Sequence, residues 1–456
     1  MFMTDNAKIT EKDGKRLVTD VTCVFDGCAC DDIACEVDIQ KNEIVAVYNA
    51  CKVGTANFLQ CKGAERFTTP LWRESKKDEF QPIIWDEALE KAADILIQAK
   101  HPLLFGWSET GVEAIRAGVR LTELVSGTID GQVTHCHGPS VQAIQEVGYA
   151  SATLGEVKNR ADMIVYWGCN PMNAHARHMS RYSTYVSGFF RRHGRQERKL
   201  IVVDPRKTDT AKLADQHIQI EMGSDYEAFE TLRAILRGAK IDKESVGGVP
   251  IETWKQLAED MKSASYGAIF FGLGLTHSSS KKNSVAAAIG LTQDLCNITK
   301  WQIMPLRGHY NVTGLNQVLS WMTGYPYGVN FARGFPRYNI GEFTAVDMLN
   351  RKEVDAMLTI AVDPGAHMPQ QAVHRIAEIP LIACDIHPTP TTELANLIIP
   401  GTHDGIEAEA SCYRMDSIPI HMRKVIDPPE GCKPSNAAWL EELIEIVEKK
   451  LGVQHV

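Results

Sequence analysis

Six of the twelve cysteines fall between Cys23 and Cys61, and the next is Cys136. The densest string is Cys23-Val-Phe-Asp26-Gly-Cys28-Ala-Cys30-Asp-Asp, followed by Asn49-Ala50-Cys51. Cys23, Cys30 and Cys51 form a C-x6-C-x20-C frame. Soft anionic donors arriving from tight turns, with one remote anchor, are what a 4Fe-4S cluster needs. Asp26 and Cys28 compete for the fourth ligand place: loop position favours the carboxylate, ligand softness the thiol. Zinc accepts the same donors and stays an alternative, as do thiols that are merely buried. Cys35 and Cys61 lie outside the frame and read as structural.

Other candidate groups stand where short apolar runs end. Residues 163–167, 200–203, 268–271, 356–362 and 381–383 are apolar without alternation and finish in Gly, Asp, His, Thr or Arg. Such runs read as strands buried on both faces. Helical stretches lie between them, including 86–99 and one opened at Ser224 by the string Ser-Asp-Tyr-Glu, which has capping-box form. Strand and helix in alternation predict parallel α/β lobes, with ligands bound at the carboxyl ends of the strands. No G-x-G-x-x-G follows the first strand and no P-loop string occurs, which leaves an ordinary NAD site or a P-loop unsupported. Residues 15–48 differ, reading as β-rich with the cysteines on the connecting loops.

The whole chain bounds these readings. At 456 residues, 44% hydrophobic and 23% charged, it is ordinary globular protein of two to four lobes. A net charge of −9 speaks against a nucleic-acid face. No apolar run is long enough for a membrane span, and charges stand where a signal peptide needs an apolar core, so the cytoplasm is the expected compartment.

Several longer strings carry a resemblance. Besides the cysteine loop they are Cys136-His-Gly-Pro-Ser140, Tyr166-Trp-Gly-Cys-Asn-Pro171 with His175 and His178, and Val203-Asp-Pro-Arg-Lys-Thr208. Later come Arg307-Gly-His-Tyr-Asn-Val-Thr-Gly314, Asp363-Pro-Gly-Ala-His367 and Pro388-Thr-Pro-Thr-Thr-Glu393. Over nearly its whole length the chain resembles the B subunits of formylmethanofuran dehydrogenase, the tungsten or molybdenum enzyme of CO2 reduction in methanogenic archaea. More distantly it is similar to formate dehydrogenases and nitrate reductases.

The resemblance implies a molybdopterin-oxidoreductase large-subunit fold, α/β in class, lacking the C-terminal β-barrel domain. The expected parts are a cluster domain over 1–66, which about 405–456 could complete, a discontinuous lobe over 67–130 and 306–404, and a second lobe over 131–305. It implies two molybdopterin guanine dinucleotides, a tungsten or molybdenum ion held by Cys136, an inorganic sulfide on that metal, and the 4Fe-4S cluster. Cys136 precedes a helix expected over 140–147, whose N-terminus favours a thiolate. His137 is expected to carry protons and Arg307 to grip the two oxygens of formate. The family's cluster loop is Cys-x2-Cys-x3-Cys, and Asp26 stands at its second position here.

Cofactor contacts are expected from loops Gly168-Cys169-Asn170, Gly272 to Gly274 and Asp363 to Gly365, and from Gly223, Asp225 and Gly308. Further ones are expected from His175, His178, Arg206, Thr208, His367, His387 and Thr389, with Asp204, Asp385 and Glu393 accepting from guanine. The basic stretch 172–199 is a second candidate for the dinucleotide tails. Implied partners are an amidohydrolase-like A subunit that condenses formate with methanofuran, a C subunit, a D subunit supplying the missing barrel, and polyferredoxin-type subunits. The rival is a non-redox scaffold of a formyltransferase/hydrolase-type complex. Retention of Cys136 and three cluster cysteines argues against it.

Overall fold

In the computed structural model, residues 10–63 and 65–453 are described; the charged N-terminal segment read against a signal peptide falls mostly outside them. Three sheets organise the chain. The first is antiparallel, in the order Thr10–Lys12, Lys15–Val21, Ile33–Asp38, Glu43–Tyr48. Its hairpin turns at Asn42, which takes a left-handed φ of 53°. The cluster loop leaves the second strand, and Cys51 begins the helix Lys52–Gln60 as its N-cap.

The second sheet is parallel throughout: Gln216–Ile218, Lys199–Val203, Met163–Trp167, Tyr266–Phe271, Lys300–Pro305. Because side chains alternate between faces, each central strand serves two cores. Val165, Trp167, Val203 and Phe271 pack with Phe229 and Trp254 of the covering helices. Ile164, Tyr166, Val202 and Phe270 face the core shared with the cluster domain, including Val24, Cys28 and Met179. That double burial explains the unbroken apolar runs.

The third sheet has nine strands drawn from two distant stretches, 71–131 and 329–400. Its parallel centre is Thr128–Gly131, Pro102–Gly106, Ala356–Ile360, Leu381–Asp385 and Leu397–Pro400. Ile406, Cys412, Met422 and Val425 join the cluster-domain core. The terminal helix Asn436–Leu451 does not. It packs on Trp85–Gln98 and Val112–Leu124, burying Trp439, Leu443 and Val447 against the nine-stranded lobe. Only part of 405–456 therefore packs with the core of the N-terminal sheet.

The capping box at Ser224 is absent. The helix Asp225–Leu236 forms, but Ser224 sits at φ −92°, ψ 16° and its side chain caps nothing. Capping needs an extended N-cap residue, whereas Ser224 is held in a turn by a bond from its N–H to the Glu221 carbonyl (3.2 Å). Among the described residues no helix is long and apolar enough to cross a membrane.

Candidate active site

The carboxyl ends of both parallel sheets open into cavities. The larger, about 520 Å³, lies where Met163–Trp167, Lys199–Val203, Tyr266–Phe271 and Lys300–Pro305 end. Its walls include Cys136, His137, Gly168, Cys169, Asn170, His175, Asp204, Arg206, Gly223, Asp225, Gly272, Gly274 and Gly308. Gly168 has φ +57°, and a Cβ on Gly274 would stand 2.7 Å from the Gly168 Cα. These two glycines thus let their loops touch each other as well as line the space. A Cβ on Gly308 would meet nothing within 4 Å.

The second cavity, about 290 Å³, lies at the ends of Ala356–Ile360, Leu381–Asp385 and Leu397–Pro400. Asp363, Asp385, Thr402 and His403 line it, with Val24 and Phe25 of the cluster loop and Glu109. Burial raises the Asp385 carboxyl to about 6 despite backbone donors from Ile386 and His387. Each of these cavities stands at strand carboxyl ends, where α/β sheets bind ligands.

Cys136 is fixed on a turn. Its N–H donates to Val133 O (3.1 Å) and its carbonyl accepts from Thr276 Oγ1 (2.8 Å). The preceding Asp130 accepts from Thr134 Oγ1 (2.7 Å), Gly328 N (3.2 Å) and Ala345 N (2.8 Å), which anchors the turn from below. The helix that follows is Gly138–Val147. The backbone N–H groups at its N-terminus and the Arg307 charge pull the thiol down, and burial, the larger effect, raises Cys136 to about 11. A metal bound at Cys136 would take the place of that proton.

His137 is buried with both ring nitrogens engaged, to Ser140 Oγ (3.0 Å) and to the Leu306 carbonyl (3.2 Å). The carbonyl can only accept, so Nε2 carries the hydrogen and Nδ1 accepts from Ser140. Burial, then the Arg307 charge, depress its pKa to about 3. In this arrangement His137 is a neutral wall, and proton carriage requires its bond to Leu306 to open.

Arg307 is buried with no acid within ion-pair distance among the described residues. Its Nη1 donates to Asn316 Oδ1 (2.5 Å) and its Nε has no partner. The guanidinium does not line the larger cavity. It lines an adjoining one of about 220 Å³ with Tyr149, Thr313, Asn316 and Gln317. The Arg307 carbonyl accepts from His175 Nε2 (2.7 Å), leaving His175 Nδ1 as a buried acceptor without a partner.

The cluster loop rests directly on this segment. Gly27 N donates to Gly308 O (3.0 Å), and a Cβ on Gly27 would stand 2.4 Å from Arg307 O. Within the loop, Cys23 N donates to Cys30 O (2.8 Å), Cys28 N to Asp26 Oδ1 (2.7 Å), and Gly54 N to Cys51 Sγ (3.4 Å). A Cβ on Gly54 would meet the sulfurs of Cys23 (3.4 Å) and Cys51 (3.8 Å), which places both on one side of that turn. Burial, followed by the Asp26 charge, raises the thiols of Cys23 and Cys28 well above their usual value and that of Cys30 to about 12. Among the described residues no three His, Cys, Asp or Glu side chains surround a single ion position. Cys23 and Cys51 converge on one turn, and thiols of this kind suit an iron–sulfur cluster or zinc alike.

Other expected contacts lie off the cavity walls. His178 is core, packed on Phe270 and bonded to Tyr166 Oη (3.0 Å). Thr208 Oγ1 accepts from Ala211 N (3.1 Å), and Thr389 forms a capping box with Thr392. Gly365 N donates to Thr391 Oγ1 (2.8 Å), His367 bonds the Asp363 carbonyl (2.8 Å), His387 lies against Gly63, and Glu393 is exposed. These are turn residues doing local work. Asp225, though on the wall, accepts from Trp167 Nε1 (2.8 Å).

The basic stretch is also turned inward. Arg177 grips Asp32 with two bonds (2.5 and 2.8 Å), Arg181 pairs with Asp31 and Asp32, Arg191 with Asp162 and Arg195 with Asp215. Only its His175 and neighbouring Ala174 reach the cavity. Conversely, Glu221, Met222, Glu109, His309, Tyr310, His403 and Asn316 face cavities and are not among the expected contacts. His309 and Tyr310 belong to the string that begins at Arg307; the rest carry no sequence signal.

Comparison with known proteins agrees with this geometry. The molybdopterin oxidoreductase family model matches residues 66–445. The B subunit of tungsten-containing formylmethanofuran dehydrogenase 2 from Methanocaldococcus jannaschii is 51% identical over 96% of this chain and 99% of its own. The chain belongs to the family of formylmethanofuran dehydrogenase B subunits. Two solved structures share the fold. Acetylene hydratase from Pelobacter acetylenicus gives a TM-score of 0.71 at 14% identity, covering 95% of this chain and 70% of that one. A chain of the formyltransferase/hydrolase complex from Methylorubrum extorquens, solved with methylofuran, gives 0.68 at 22% identity, covering 84% and 100%. Family membership makes the chain an oxidoreductase component of a multisubunit complex, built for a tungsten or molybdenum pterin cofactor.

Proposed function

We propose that this chain is the redox subunit that interconverts CO2 and formate, with formate passed to a partner subunit for condensation with methanofuran. The observation that carries the reading is Arg307, a buried cation without an acid partner among the described residues, whose charge is felt at Cys136. An uncompensated buried charge costs several kcal/mol, on the order of 3–5, so the site is built to receive an anion. Two dithiolene cofactors would enter the two strand-end cavities, with Cys136 supplying the protein ligand and a sulfide completing the metal's shell. Bound there, the centre would supply two-electron redox chemistry. Arg307 would orient the carboxylate and spread its negative charge, and His137 would hold the wall beside it neutral.

The 4Fe-4S cluster would sit among Cys23, Cys30, Cys51 and Asp26. We assign the fourth ligand to Asp26, because it stands at the second position of the family's cluster loop, while Cys28 is deeply buried and its N–H donates to Asp26 Oδ1 (2.7 Å). Asp26→Ala is therefore expected to lower iron content and the visible absorption of the cluster by at least about half. Cys28→Ala should leave iron near the wild-type level, and the reverse ranking would exchange the two roles.

The mouth of the larger cavity exposes Met222 (87%) and Leu273 (46%). Apolar rims of this kind suit a covering partner, here a D-type component that brings the barrel. The scaffold reading rests on more distant relatives than the formylmethanofuran dehydrogenase subunits, and it gives no reason for a buried Arg307. Anaerobic purification of the complex decides between them. About four irons per chain, tungsten or molybdenum, and guanine nucleotide are expected; a colourless, metal-free complex would leave the scaffold.

A further inference from the structure

Arg307 and Asn316 share a cavity of about 220 Å³ in which Arg307 is the sole charged lining residue among those described. The other walls are neutral: Gln145, Tyr149, Thr313, Gln317, Ser320 and apolar neighbours. Asn316 is buried on the helix Val312–Thr323. Its Oδ1 accepts from Arg307 Nη1 (2.5 Å), and its Nδ2 donates to the Pro326 carbonyl (2.9 Å). The second bond settles which way the amide faces, since the carbonyl of Pro326 can only accept. One side-chain amide thereby ties the guanidinium to the segment that also carries Tyr327, whose hydroxyl donates to Gly138 O (3.3 Å).

A buried arginine is ordinarily held by a carboxylate. Here the acceptor at that place is an amide of the same shape and no charge. We propose that Asn316 is a positioning residue for a small monoanion: it fixes the Arg307 guanidinium without neutralising it, so the full positive charge remains for the anion that Arg307 orients. The inference rests on the reading of Arg307 as the group that meets formate.

The test uses the purified complex, with formate as substrate and azide as a monoanion that has no C–H bond to break. Wild-type complex with full metal content that neither oxidises formate nor binds azide by calorimetry would defeat the functional reading rather than this one. Asn316→Asp should place an internal anion on the guanidinium, raising the azide Kd and the formate KM by about 100-fold, with kcat lowered less than about tenfold and metal content kept. An azide Kd within about threefold of wild type overturns the proposal. Asn316→Leu removes the acceptor and adds no charge. It should lower kcat at least about tenfold while azide affinity changes less than about fivefold. Unchanged kcat in that variant, or loss of assembly in both, would assign Asn316 to folding through Pro326 and overturn the role.

Discussion

Formate oxidation coupled to a viologen dye is expected to fall at least about 1,000-fold in Cys136→Ala, roughly 4 kcal/mol at the transition state. The visible spectrum of the cluster should not change. The size follows from what the residue alone provides. Cys136 stands on the wall of the larger cavity, on a turn fixed by Val133, Thr276 and Asp130. Burial holds that thiol protonated until a cation takes its place. Alanine offers no donor, and the neighbouring wall cannot substitute: His137 has both nitrogens engaged, and Cys169 is bonded to the Phe270 carbonyl (3.4 Å). Cys136→Ser keeps a donor of harder character and should retain metal while losing most turnover. Activity within tenfold of wild type in the alanine variant would remove Cys136 as the metal ligand.

The parallel strands are legible because their side chains are buried on both faces of each sheet, and an apolar run needs no partner to be recognised. Residues 163–167 and 381–383 fall within observed strands for this reason. Gly168, Asn170, Asp204 and Gly272 are legible for a related one, since whatever follows such a strand stands at the sheet's carboxyl edge. Reading fails where partners are distant in sequence. Nothing near Arg177 announces that Asp32, 145 positions earlier, will hold it, so an inward ion-pair lattice looks like a phosphate-binding stretch. Thr389 and Glu393 lie off the cavity walls, since a strand end also needs ordinary turn residues, and composition does not separate those from ligands. At Cys136 the helix N-terminus pulls the thiol down as expected, and burial outweighs it. A helix N-terminus is visible in sequence, but the depth of burial that outweighs it is a property of the assembled lobes.

Glu407→Gln is expected to destabilise the wall of the second cavity by about 3–5 kcal/mol, the usual cost of breaking a buried ion pair from one side. Glu407 and Arg66 are almost fully buried, at 0% and 4% side-chain exposure, with 2.5 Å between Oε2 and Nη2. The same carboxylate accepts from His403 N (2.8 Å), and Arg66 donates to Gly401 O (3.1 Å). Together they pin the loop that carries Gly401, Thr402 and His403 along the cavity. Burial pushes the Glu407 carboxyl up and Arg66 only partly pulls it back, so desolvation exceeds the attraction. The pair is therefore a weak source of stability but a strong constraint, because either partner left alone is a charge without compensation. Glutamine keeps the shape and leaves Arg66, whose Nε and Nη1 already lack partners, with no anion. Amide exchange across residues 401–408 should quicken at least about 100-fold. The double variant Arg66→Met/Glu407→Leu, which removes both charges, should be less damaged than either single change. A glutamine variant that exchanges as slowly as wild type would mean that Glu407 is already protonated in the folded chain, and the loop would then be held by hydrogen bonds alone.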